Sequence, residues 1–280
     1  MNDEGIATQD KRARDQYLRH FNPRNYRATY YASVDQDMEF FLQCYHHAFH
    51  AEPRLTRLGP AQRRLLEVGC GPVPVYSACA SAFASSVTMS EFLPQNRREM
   101  EAWMEGKDEA LDWSFFFNYL SSLSPHRSVK DIESQLRSRF TKIIPCDLTM
   151  DNPLTSPAHR ASYDVIMTNL CLEFVASSKD AFNLMVGRLV SLLRPGGVLI
   201  MAGALMCTKY QLGGQTYHSV PLGEEDLRAA VSPHCQGDVT IRTLPRQGLL
   251  QEKPADHEGV FFLLTQRQQE GESEGREGKE

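Results

Sequence analysis

The chain has 280 residues, 41% of them hydrophobic and 23% charged, enough apolar material for one large core without disulfides or a structural metal. Thirty basic against 35 acidic side chains leave a net charge of −5, which excludes the basic surplus of a general nucleic-acid binder. The longest apolar-plus-glycine run, around Val198–Met206 and no longer than Gly196–Cys207, is far short of the roughly 20 residues a membrane helix needs.

The opening stretch Met1–Arg14 is polar with mixed charge, unlike a secretory leader. Seven cysteines without a C-x-x-C pair read as free thiols in a reducing compartment, not as a disulfide frame or zinc site. The expectation is a cytosolic monomer that holds no metal and engages neither nucleic acid nor membrane.

Residues 1–15 are read as mobile. The aromatic-rich stretch Tyr17–His50 reads as a helical cap, extending to about residue 60. Arg64–Gly69 is a buried strand running into a glycine turn. Val75–Phe83 follows as a helix of small and apolar residues. Ser85–Phe92 is a second strand. Pro94–Met104 is a helix with proline in its first turn, where the missing N–H costs nothing. Asp112–Arg139 is an insertion, helical in parts. Ile143–Leu148 and Tyr163–Leu170 are the third and fourth strands. Asp180–Leu193 is an amphipathic helix stopped by Arg194-Pro-Gly-Gly197, and Val198–Leu205 is the fifth strand. Strands alternating with helices imply βαβ units and a mostly parallel sheet.

Tyr210–Pro221 carries Gly213-Gly214 and reads as a hairpin or lid loop. Asp238–Leu244 and Gly259–Thr265 lack a clear helix between them and suit an antiparallel pair at one edge. Residues 16–266 thus form one α/β domain. From Gln266 onward no residue is apolar, so ordering has little to offset its entropy. Residues 267–280 are expected to be a disordered acidic tail.

The motif Glu67-Val-Gly-Cys-Gly-Pro72 places two glycines at a strand-to-helix turn, where the backbone can approach a ligand. The third glycine of a dinucleotide loop is missing, since Pro74 stands there. Glu91 closes the second strand about twenty residues on, in position to hold a ribose hydroxyl pair. A glycine turn plus a ribose acid, without a pyrophosphate loop, suits a nucleoside; S-adenosylmethionine is the commonest. Asp147 in Pro145-Cys-Asp-Leu148 can accept from an adenine amino group, with the Leu148 N–H meeting a ring nitrogen. Asp147 can equally cap a loop. Asn169-Leu-Cys-Leu-Glu173 follows the fourth strand, beyond whose carboxyl end ligands bind in open α/β sheets. Glu173 there is either a working acid or a helix-start carboxylate.

These segments, in order, resemble the small-molecule amine N-methyltransferases that include nicotinamide, phenylethanolamine and indolethylamine N-methyltransferases. The resemblance runs from about Tyr17 to Arg267. It is carried by Tyr17 to Tyr26 with Tyr30-Tyr31, and by Gly69-Cys-Gly-Pro72 with Tyr76. Met89-Ser-Glu-Phe92 with Asn96, Asp112-Trp113, Cys146-Asp147 and Cys171-Leu-Glu173 continue it. Leu193 to Gly197, Ser219 to Gly223 and Glu258 to Phe262 complete it.

The resemblance implies a Rossmann-like class I S-adenosylmethionine-dependent methyltransferase, with a mostly parallel sheet, an antiparallel edge strand and an N-terminal helical lid. It implies a donor site lined by Tyr26, Tyr31, Gly69, Gly71, Tyr76, Glu91, Phe92, Asn96, Asp147, Leu148 and Asn169, with Tyr17 closing over it. It implies a substrate site drawn from Tyr26, Leu170, Glu173, Gly203, Cys207, Tyr210, Ser219 and Asp256. The chain also departs from the family. Val73 replaces a threonine whose hydroxyl reaches the methionine carboxylate, and Glu91 is one methylene longer than the usual aspartate. Gly203 stands where a carboxylate follows the fifth strand, and Cys207 where the phenylethanolamine type has a second acid. Ser219 matches the nicotinamide type and Asp256 the phenylethanolamine type.

The chemistry implied is direct in-line transfer of a methyl group to a nitrogen of a small molecule. Positioning alone supplies roughly 7–11 kcal/mol in favourable systems. An alkylamine must first lose a proton, because like the lysine ammonium it titrates near pH ~10. Glu173, with Asp256 second, is the expected proton relay. A pyridine nitrogen needs no deprotonation, and both substrate classes stay open. The alternatives are an inactive relative that binds S-adenosylmethionine or a partner, and a nicotinamide-dinucleotide oxidoreductase, which Pro74 disfavours.

Overall fold

Nine strands form in chain order: β1 Arg64–Val68, β2 Ser86–Glu91, β3 Phe140–Pro145, β4 Tyr163–Asn169, β5 Leu193–Leu205, β6 Lys209–Leu212, β7 Gln215–His218, β8 Cys235–Pro245 and β9 Gly259–Arg267. They are seen in a computed structural model that describes residues 14–247 and 254–269. Seven strands make one sheet in the order β3-β2-β1-β4-β5-β9-β8. The first five pair in parallel, while β9 runs antiparallel to both β5 and β8. The β6–β7 hairpin stands apart from this sheet. Strand order reverses between β1 and β4, and a crevice opens beyond the carboxyl ends at such a point.

The central strands are apolar on both faces because helices cover both. Leu65, Val165 and Val198 belong to one core, with Phe41 and Tyr45 of α2 (Gln36–Ala51). Leu66, Ile166 and Leu199 belong to the other, with Phe182 and Leu189 of the helix Lys179–Leu192. Ahead of α2 lie a helical stretch at residues 14–20 and α1, Pro23–Tyr30. Asp35 caps α2 by accepting from the Met38 N–H at 3.0 Å. All seven cysteines are unpaired and six are buried. Among the described residues no helix is long and apolar enough to cross a membrane.

Several boundaries differ from the sequence reading. β3 begins three residues earlier and ends before Asp147, because it is the edge strand, half exposed, and shows no clear apolar pattern. The Arg194–Gly197 turn is absorbed into β5 as an irregularity between the pairs Tyr163↔Leu193 and Val165↔Val198. Residues 14 and 15 are helical, and Arg267, the first residue of the expected tail, ends β9 and pairs with Cys235 of β8. Of the expected mobile start and acidic tail, residues 1–13 and 270–280 lie outside the described residues. The helix Glu224–Val231, with three acids in its first turn, has no counterpart in the sequence reading.

Candidate functional site

Beyond the carboxyl ends of β1, β2 and β4, beneath the N-terminal helices, lies a cavity of about 400 Å³. Its floor is the β1 turn. Gly69 and Gly71 have φ of 67° and 59°, the left-handed region that glycine enters without strain. A Cβ on residue 69 would stand 2.2 Å from the Cys171 Sγ, so glycine is required there on two counts. The Gly71 N–H donates to Glu91 Oε2 at 2.9 Å, and the Leu93 N–H donates to Oε1 at 2.8 Å. The extra methylene of Glu91 thus ties β2 back to the glycine turn. Burial raises the pKa of Glu91, against the pull of these donors.

Asn96 donates to Glu91 Oε1 at 3.3 Å, while its own Oδ1 is buried without a hydrogen-bond partner among the described residues. A buried acceptor left over beside the Glu91 carboxylate fits a ligand that brings a donor. Asp147 accepts from the Thr149 hydroxyl at 2.6 Å and pairs with Arg14 at 2.8 Å. Arg14 also lies 5.0 Å above the Phe92 ring, so the first helical stretch is anchored over this end of the cavity.

The opposite wall is aromatic. Tyr31 and Tyr76 place their hydroxyls 3.4 Å apart, and the Tyr210 hydroxyl donates to that of Tyr17 at 2.8 Å. Burial pushes all four phenols up, so they stay neutral. Tyr17 and Tyr30 bind the β6–β7 hairpin: Tyr17 packs 4.7 Å from Tyr217, and the Tyr30 hydroxyl donates to the Gln211 carbonyl at 2.8 Å. The hairpin turns on Gly213 and Gly214, both at positive φ, as their adjacency suggested.

Under the floor, Glu67 accepts from the Ser77 hydroxyl and from Asn169 Nδ2 (3.1 Å), while the Tyr45 hydroxyl donates to Asn169 Oδ1 at 2.5 Å. Full burial lifts Glu67 to about 8. This network fixes the Asn169 amide at the end of β4. Leu170 follows at φ 46°, a conformation costly for a non-glycine residue, and it turns the chain into the cavity.

The residues expected at the donor site come together. Tyr17, Tyr26, Tyr31, Gly69, Gly71, Tyr76, Glu91, Phe92, Asn96, Asp147, Leu148 and Asn169 all line this cavity, as do Leu170 and Tyr210. Glu173, Gly203, Cys207, Ser219 and Asp256 are not part of its lining. Glu173 lies behind it: its Oε1 accepts from the Ala204 N–H at 2.9 Å, and burial lifts it to about 7. A Cβ on Gly203 would stand 2.5 Å from that same oxygen. Ser219 donates to the Glu173 carbonyl at 3.3 Å. Cys207 is fully buried, with its thiol 3.5 Å from Asp256 Oδ1. Asp256 accepts from the Thr208 and Lys209 N–H groups at 2.8 and 3.0 Å. Against the cost of partial burial, the Thr208 hydroxyl, which also donates to it, and these N–H groups hold its carboxyl below the usual range.

The sequence reading missed Arg14, Asp35, Asp37 and His257, which also line the cavity. Asp35 and Asp37 look locally like helix-start acids, and nothing around His257 marks it.

The sequence profile of the NNMT/PNMT/TEMT family matches residues 9–268. The chain belongs to this family. It is 32% identical to the nicotinamide N-methyltransferase of Homo sapiens, over 91% of this chain and 96% of that one. It is 31% identical to the indolethylamine N-methyltransferase of Oryctolagus cuniculus, over 90% and 95%. Among solved structures, magnesium protoporphyrin IX methyltransferase from Synechocystis PCC 6803 with bound SAM aligns at a TM-score of 0.55. That alignment covers 92% of this chain and 96% of that one, at 13% identity, and speaks for the fold alone. The NNMT/PNMT/TEMT-family chain is an S-adenosylmethionine-dependent N-methyltransferase with a Rossmann-like class I fold. The donor supplies an activated methyl group on a sulfonium, which leaves as a neutral thioether.

Proposed function

We propose that the cavity holds S-adenosylmethionine along its glycine-turn side and a small-molecule amine or pyridine-type nitrogen at its aromatic end. Glu91 and Asn96 hold the ribose, Asp147 and Leu148 the adenine, and Tyr31 and Tyr76 the methionine end. Tyr26, Leu170 and Tyr210 shape the substrate end, and Tyr17 closes over both. The observation that carries this reading is the convergence of all twelve donor-site residues on one cavity. Holding the nitrogen in line with the methyl carbon is the main task, because the methyl group arrives already activated.

Glu173 and Asp256 act from behind the wall in this reading. Glu173 fixes the backbone at Ala204, and Asp256 fixes the start of the hairpin. Residues 16–266 work as one unit, a monomer acting in the cytosol without nucleic acid or membrane. Calorimetry with S-adenosylhomocysteine, followed by transfer of labelled methyl to amines and pyridines, tests the proposal. Donor binding with no transfer to any nitrogen compound favours an inactive relative. Binding of NAD in place of S-adenosylhomocysteine rejects the donor site.

A further inference from the structure

The cavity contains a second polar centre that the methyl-donor reading does not use. His257 and Asp37 both line it, and both are buried, at 7% and 8% exposure. His257 Nε2 lies 3.1 Å from Asp37 Oδ2, joining residues 220 positions apart. Asp37 is the second residue of α2, where the helix start favours a negative charge. His257 lies just before β9, beside the end of β5, since the Glu258 N–H donates to the Leu205 carbonyl at 2.9 Å. Ala204, Ala255 and Val260 line the cavity with it, so this centre belongs to the β5–β9 side, away from Glu91 and Asp147.

The pairing fixes the chemistry of the ring. With Nε2–H donating to Asp37, the lone pair is on Nδ1. Nδ1 has no hydrogen-bond partner among the described residues. An imidazole oriented by a carboxylate on the lining of a cavity, with its other nitrogen unengaged among the described residues, is built to take a proton. It also fills the gap left by Glu173, whose carboxylate is engaged behind the wall.

We propose that His257, oriented by Asp37, is the proton acceptor for an alkylamine substrate. This rests on the methyl-transfer reading and assigns the substrate class that the sequence left open. An alkylammonium gives its proton to Nδ1, leaving a neutral amine and an imidazolium that faces Asp37. The freed lone pair then forms the N–C bond to the methyl carbon as the C–S bond breaks, its electron pair going to sulfur. The product is an N-methylammonium, and the imidazolium returns its proton to solvent. An ammonium is disfavoured among Tyr26, Leu170 and Val260, which eases its loss of a proton.

The test uses the full chain, S-adenosylmethionine, and two amines of nearly one shape: 2-phenylethylamine and its β,β-difluoro analogue, whose weaker basicity leaves far more of it neutral near pH ~7.5. In His257→Gln, kcat on 2-phenylethylamine falls by about 100-fold. On the difluoro analogue it falls by no more than about threefold. S-adenosylhomocysteine affinity, read by calorimetry, stays within about twofold. Should His257→Gln lose that affinity, the ratio of the two rates in Asp37→Asn decides, with the basic amine again losing more. Equal losses on both amines, or none on either, overturn the role of His257. No transfer by the wild-type chain to either amine, with transfer to pyridine, overturns the alkylamine assignment. No transfer to any of the three defeats the underlying reading instead.

Discussion

Glu173 occupies the space that a side chain on Gly203 would need: a Cβ there would stand 2.5 Å from Glu173 Oε1 and 2.7 Å from the Phe261 ring. The acid that follows β4 and the missing side chain on β5 are therefore one feature. Gly203→Ala should destabilise the fold by about 1–3 kcal/mol through overpacking. Denaturant midpoints of Gly203→Ala, Glu173→Ala and the double variant check it. The double variant should be more stable than the sum of single losses, since each change relieves the other. Strict additivity would contradict the shared space.

Glu173→Gln keeps an oxygen that can accept from the Ala204 N–H. Turnover should fall less than about tenfold and by similar factors on basic and weakly basic amines. A loss near 100-fold confined to basic amines would return the proton relay to Glu173.

Glu67 and Glu173 give the fold a pH dependence of definite sign. Burial lifts their carboxyls from 4.5 to about 8 and about 7. Between about pH 4.5 and 8 the native state then binds more protons than the unfolded chain, so stability falls as pH rises through that window. Glu67→Gln removes the larger part. Its stability relative to wild type should improve between about pH 5.5 and 8, measured by chemical denaturation. Parallel pH profiles would show that Glu67 is ionised in the fold.

Asp147 is held by Arg14 and Thr149 at the edge of the cavity, where the proposal puts the adenine. Asp147→Ala should weaken S-adenosylhomocysteine binding by about 1.5–3 kcal/mol, as expected for loss of a charged acceptor. Calorimetry reads it directly, and unchanged affinity would remove Asp147 from the site.

The glycine-turn side of the cavity was legible because its signals are local. Gly69, Gly71, Glu91 and Asp147 lie at strand ends whose apolar runs are visible, and the topology then brings those ends together. The β5–β9 side was not. Whether Glu173 points into the cavity or behind it depends on the space left by Gly203 thirty residues later. The His257–Asp37 pair joins a loop before the last strand to the start of a cap helix, and neither residue announces the other. β3 was displaced in the reading because an edge strand with an exposed face carries little periodic pattern. The helix Glu224–Val231 was missed although its acidic first turn is a recognisable start signal.

The most direct measurement of the central claim is mass-spectrometric detection of N-methylated product from methyl-labelled S-adenosylmethionine, across alkylamines and pyridines, with wild-type and Gly69→Ala chains. Labelled product is expected from at least one alkylamine, formed in equal amount with S-adenosylhomocysteine. That product should be lost in Gly69→Ala, where the new methyl meets the Cys171 thiol. S-adenosylhomocysteine binding by the wild-type chain with no labelled product from any nitrogen compound would contradict the claim.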